Sequence, residues 1–91
     1  MINKIRKRFR FYGDVQGVGF RYRCMHAANK FDVTGYVENL YDGSVYAEMQ
    51  GDSEAIDRTL EILQNSPWID IKYIDSSEIP LAEHEYSFDI K

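Results

Sequence analysis

Between Arg6 and Tyr12 the side chains alternate, Phe9 and Phe11 against Arg8, Arg10 and Tyr12, which predicts a strand with one apolar face. The period changes after a glycine-punctuated stretch, Gly13-Asp14-Val15-Gln16-Gly17-Val18-Gly19. Beyond it Phe20, Cys24, Ala27, Ala28 and Phe31 recur at helical spacing and mark the buried stripe of a first helix. Alternation returns over Val33 to Leu40, and again over Ser44 to Gln50, where Val45, Ala47 and Met49 interleave with Tyr46, Glu48 and Gln50. Asp42-Gly43 supplies a turn between these two runs, because glycine tolerates positive φ, and makes them an antiparallel hairpin. A second helix is predicted from about Glu54 to Gln64, with Asp52 or Ser53 as its cap and Ile56, Leu60 and Leu63 as its buried stripe. Pro67 marks its exit. Ile69, Ile71 and Tyr73 then suggest a fourth strand, and Tyr86, Phe88 and Ile90 a short terminal one.

This βαββαβ order predicts an α+β protein, a ferredoxin-like α/β sandwich in which an antiparallel sheet carries two helices on one face. The 91 residues are enough for a single domain, 1–91, and too few for two. A domain of this size must draw its core from one sheet and the helices covering it. Such a fold hosts many activities, so function has to be read from a site.

Charge narrows the classes. A formal net charge of -4 argues against a general nucleic-acid binder, which draws much of its affinity from neutralising phosphates. The charge is uneven: Lys4, Arg6, Lys7, Arg8 and Arg10 precede Gly13 with no acid among them. That run reads as a solvated strand face and a basic tail rather than an anion-attracting edge. The single cysteine, Cys24, permits no intrachain disulfide. Met1-Ile2-Asn3 leads straight into charged residues without an apolar leader, and no apolar run approaches membrane-spanning length. The expectation is a cytoplasmic monomer that binds neither nucleic acid nor membrane.

The most informative segment is Gly13 to Arg21. Glycines let backbone N–H groups converge on one point. The first N–H groups of a helix lack internal partners and lie at the positive end of its dipole. Arg21, in the first helical turn, can add a guanidinium that binds two phosphate oxygens side by side. On these features alone the loop is either an anion cradle or a turn whose glycines serve geometry. It lacks the Gly-Lys-Ser/Thr ending of a nucleoside-triphosphate loop, and its glycines do not follow the dinucleotide G-x-G-x-x-G spacing.

The run Gly13-Asp14-Val15-Gln16-Gly17-Val18-Gly19-Phe20-Arg21 closely resembles the signature of the acylphosphatase family. So does a second block, Gly35-Tyr36-Val37-Glu38-Asn39, followed by Gly43, Val45 and Gly51. The resemblance spans essentially the whole chain. It implies hydrolysis of the carboxyl-phosphate bond of an acyl phosphate, giving a carboxylate and inorganic phosphate. Arg21 would bind the substrate phosphate with the amides of Val15, Gln16, Gly17, Val18, Gly19 and Phe20, and Asn39 would position the attacking water. No metal, cofactor or covalent phosphoenzyme is implied. Asp14 and Glu38 depart from the family's usual pattern and bring negative charge near an anion site. By strand parity, Asn39 should share a face with Val37, and Glu38 should point the other way.

Other residues carry weaker signals. Cys24 lies on the apolar stripe of the first helix and reads as a buried, inert thiol rather than a nucleophile paired with His26. His26 and His84 lack the acidic or cysteine partners of a metal site, and Asp14, Glu38 and Asp42 match no calcium loop. Tyr12, Tyr36 and Tyr46 are expected on the exposed sheet face, without an RNA-binding aromatic motif. The competing functional readings are a non-catalytic anion-binding module and a nucleic-acid-binding ferredoxin-like domain.

Overall fold

The computed structural model describes residues 3–91; Met1 and Ile2, with the expectations attached to them, lie outside the described residues. The elements run β1 (Lys4–Asp14), α1 (Phe20–Lys30), β2 (Thr34–Asn39), β3 (Val45–Asp52), α2 (Ser53–Gln64), β4 (Asp70–Ile79) and β5 (Phe88–Ile90). They form one five-stranded sheet in the order β4-β1-β3-β2-β5. The β1/β3, β1/β4 and β2/β3 pairs are antiparallel, as expected. The sheet is mixed rather than wholly antiparallel, because β5 pairs parallel with β2 through Gly35/Phe88, Tyr36/Asp89 and Val37/Ile90. The cause is topological: residues 80–87 carry the chain from one edge of the sheet to the other before β5 begins.

The alternation assigned to β1 and β3 holds. Phe9, Phe11, Val45, Ala47 and Met49 are buried on the helix side, where they meet Phe20, Cys24 and Ala28 of α1 and Ile56 and Leu63 of α2. The α1 stripe is buried except for Phe31, which lies half-buried at the C-cap. In α2 the cap is Asp52, whose side chain accepts a hydrogen bond from the Glu54 amide at 3.0 Å.

Two regions differ from the sequence expectation. In β4 a register shift opposite Tyr12/Gly13 resets the alternation. Ile71 and Ile74 therefore both pack against the core, while Tyr73 turns to the open sheet face, 5.7 Å from the Tyr12 ring. The basic run of β1 is also not a solvated face. Arg6 is only 4% exposed, held by Glu48 at 2.9 Å and Glu85 at 2.8 Å, with Gln50 accepting a further bond at 3.2 Å. Arg8 pairs with Asp75, and Arg10 with Asp42. The Gln50 amide also bonds both backbone groups of Ala82, so the 80–87 crossover is pinned onto the open face by Gln50 and Arg6 together.

Candidate active site

The site forms where the C-terminal ends of β1, β2 and β5 meet the start of α1. The loop between β1 and α1 is held by buried side chains near both ends. Val15 is 1% exposed and Phe20 2%, and the Phe20 ring lies 4.8 Å from that of Phe11. Burial of this kind stabilises by about 1.5–3 kcal/mol per large apolar side chain. Between these anchors the backbone must curl. Gly17 (φ 74°) and Gly19 (φ 78°) are in the left-handed region, and a Cβ on either would meet nothing nearby. The demand at these two positions is thus conformational rather than steric.

Gly19 is also the N-cap of α1. It offers no side chain to the helix start, and the first turn contains no acid. The leading N–H groups of α1 thus point outward without a side-chain acceptor, at the positive end of the helix dipole. Arg21 projects from this turn. Its Nη1 donates to the main-chain oxygen of Lys91 at 3.1 Å, and no Asp or Glu side chain lies within ion-pair distance of it among the described residues.

Asn39, the last residue of β2, shares the helix-side face with the fully buried Val37, as parity requires. Arg21 and Asn39 line one pocket of about 230 Å³ with Val15, Gly17, Gly19 and Phe20. Val18 borders a neighbouring depression instead. The Gln16 side chain turns away: its Nε2 donates to the carbonyls of Leu40 at 2.6 Å and Ser44 at 2.8 Å, clamping the loop to the β2–β3 turn that follows Asn39. Three residues at the site carried no signal in the sequence. Tyr22 and Ile90 line the pocket, and the Lys91 main-chain oxygen accepts from Arg21. Ile90 and Lys91 arrive through the parallel β2/β5 pairing, with the Lys91 amide bonded to the Val37 carbonyl at 2.8 Å.

The two acids that depart from the family pattern sit outside the pocket lining. Glu38 lies in register with Tyr46 on the open face. Asp14 is exposed, and together with Asp70 it raises the pKa of Lys72; the hydrogen bond from Lys72 to Asp70 is the main cause. Cys24 is fully buried, and burial pushes its thiol pKa up, away from thiolate chemistry. His26 packs edge-on to Tyr22, and His84 Nδ1 lies 3.2 Å from the Tyr86 hydroxyl. Among the described residues no group of three or more His, Cys, Asp or Glu side chains is placed to hold a metal ion. No helix among the described residues is long and apolar enough to cross a membrane.

A family model described as Acylphosphatase matches residues 7–90. The chain is 40% identical over 85 residues to an acylphosphatase of Clostridium perfringens, covering 92% of this chain and 96% of that protein. It is 38% identical over 86 residues to an acylphosphatase of Thermoplasma volcanium, covering 93% and 94%. The crystal structure of acylphosphatase from Bacillus subtilis superposes with a TM-score of 0.88 at 33% identity, covering 96% of this chain and 98% of that one. With both signature blocks converging on one pocket, the chain belongs to the acylphosphatase family.

Proposed function

We propose that this protein hydrolyses acyl phosphates by in-line attack of water, with Arg21 and the loop amides holding the phosphoryl group and Asn39 placing the water. The observation that carries the reading is the pairing of Arg21 and Asn39 in one pocket against a helix start that no side chain caps. The chemistry asks little more. The leaving group is a carboxylate, stable without a proton, so no strong general acid is required. What remains is to hold a dianionic phosphoryl group, spread its charge and align a water opposite the departing oxygen, and positioning and electrostatics dominate such transfers. The Asn39 amide can hydrogen-bond a water without repelling phosphate, which a carboxylate in its place would do. The bond from water oxygen to phosphorus forms, the bond from phosphorus to acyl oxygen breaks, and the water's protons pass to the phosphate product.

Other features support the remaining expectations. The site is assembled from β1, α1, β2 and β5 of one chain, so a monomer contains all of it. Arg6, Arg8 and Arg10 are matched by carboxylates, which speaks against a basic stripe on the sheet for nucleic acid. The lone, buried cysteine suits a reducing, cytoplasmic setting.

The test is release of inorganic phosphate from benzoyl phosphate in the presence of chelator, for the wild type, Arg21→Ala and Asn39→Ala. Loss of the charged donor at position 21 should lower kcat/KM by about 10²–10³. Misplacing the water should lower kcat by about 10². No turnover by the wild type, together with phosphate binding that survives Asn39→Ala, would instead identify an anion-binding module.

A further inference from the structure

Beside the phosphate pocket lies a second depression of about 420 Å³, lined by Val18, Gly19, Tyr22, Arg23 and His26. Gly19 and Tyr22 belong to both, so the two pockets adjoin along that wall, and Asn39 lines only the first. In-line attack fixes what this arrangement is suited to. Water enters from the Asn39 side, so the acyl oxygen must leave on the opposite side of phosphorus, and the acyl group must extend away from Asn39.

The lining of the second pocket is cationic and uncompensated. Helix α1 carries Arg21, Arg23, His26 and Lys30 and no acid, in a chain whose net charge is -4. Arg6, Arg8, Arg10 and Arg58 each face a carboxylate. Arg21 and Arg23 are the two arginines with no Asp or Glu partner among the described residues, and they border adjoining pockets. Tyr22, which lines both pockets, is 62% exposed and meets the His26 ring edge-on at a centroid distance of 4.5 Å. An unpaired guanidinium beside an aromatic platform fits a planar carboxylate better than a bare alkyl group.

We infer that this second pocket receives the acyl group, and that Arg23 favours acyl phosphates whose acyl part bears a further anionic group, such as the monophosphate of a short dicarboxylic acid. The inference rests on the acylphosphatase reading and adds to it a specificity determinant and a substrate class.

The experiment compares kcat/KM for succinyl phosphate and acetyl phosphate, in the wild type and in Arg23→Gln, at low and high salt. The wild type should prefer succinyl phosphate, and Arg23→Gln should lower the ratio of the two by about threefold to fivefold, the range of an exposed ion pair. High salt should shrink the wild-type preference and leave the variant's ratio where it is. Equal use of both substrates by the wild type, or an equal fall for both in Arg23→Gln, overturns the subsite while leaving the activity standing. Failure to hydrolyse either substrate overturns the acylphosphatase reading, and the subsite falls with it.

Discussion

The two ends of the sheet are built from the same parts and finished in opposite ways. Each has a helix N-terminus and an arginine. At the β3–α2 end, Asp52 caps the helix, and Arg6 is enclosed by Glu48, Glu85 and Gln50. At the β1–α1 end, Gly19 occupies the cap position with no side chain to offer, and Arg21 has the Lys91 main-chain oxygen and no Asp or Glu partner among the described residues. One end is electrostatically closed and serves stability. The other keeps its donors available to an incoming anion. On the function proposed above, the anion site is made less by adding positive charge than by withholding the acids that neutralise it elsewhere in the molecule.

The contrast is sharpest if each arginine is removed in turn. Arg6→Ala leaves Glu48 and Glu85 facing each other without their cation, and breaking a buried pair costs about 3–5 kcal/mol. A urea midpoint should fall accordingly. The kcat per folded molecule should stay near wild type, because Arg6 lies at the opposite end of β1 from the pocket. Comparable stability in Arg6→Ala and the wild type would remove the distinction between the ends.

The closed end also has a pH signature. Burial alone would raise the Glu48 pKa, but hydrogen bonds from Tyr46, Tyr36 and Arg6 outweigh it and hold the carboxyl below its ordinary value. A depressed pKa in the folded state means the contribution to stability is complete above the unfolded value, about 4.3. It is lost as pH falls through the lower folded value. Glu48→Gln should therefore cost about 2 kcal/mol at neutral pH, the scale of hydrogen bonds to a charged group. It should also flatten the acid limb of the stability profile below about pH 4. Urea titrations from neutral pH into acid read both effects, and an unchanged acid limb would assign that limb to other carboxylates.

The core was largely legible in the sequence because it follows local periods. The β1 and β3 alternations and the Phe20/Cys24/Ala27/Ala28 stripe each report burial on one face of one element. The parts missed depend on distant pairings. Nothing local marks the crossover that covers Arg6, so a guanidinium in a basic run was expected in solvent. The shift in β4 arises from pairing with the Tyr12/Gly13 bend, and it separates Tyr73 from the isoleucines around it. At the site, Arg21 came from its place after the glycine loop and Asn39 from the resemblance to the acylphosphatase signature, and their common pocket depends on sheet order. Tyr22, Ile90 and Lys91 had no motif, and two of them reach the site only because β5 lies parallel to β2. Gly35, part of the second motif block, has a structural role: a Cβ there would run into the Glu48 carbonyl of β3.

Gln16 gives the smallest and most discriminating test, because it belongs to the open end yet works by closing contacts. Its amide spans from the anion loop to the carbonyls of Leu40 and Ser44, on either side of the turn that follows Asn39. Both carbonyls flank that turn and keep a backbone donor each without Gln16, the Gly43 amide for Leu40 and the Leu40 amide for Ser44, so no carbonyl is left unpaired. Gln16→Ala should therefore cost about 1–2 kcal/mol, two hydrogen bonds at their usual net worth. Its kinetic effect separates two ways of holding the site. If the clamp sets the loop amides against Arg21, the substrate is held less well and KM rises severalfold with kcat nearly unchanged. If it sets the distance between the loop and Asn39, the water is misplaced and kcat falls. The structure favours the second outcome: the clamp attaches beside Asn39, whereas the loop amides are already anchored by Val15 and Phe20. A fall in kcat that Gln16→Glu does not rescue, since a carboxylate cannot donate to the two carbonyls, would place the amide's donor function at the root of the effect.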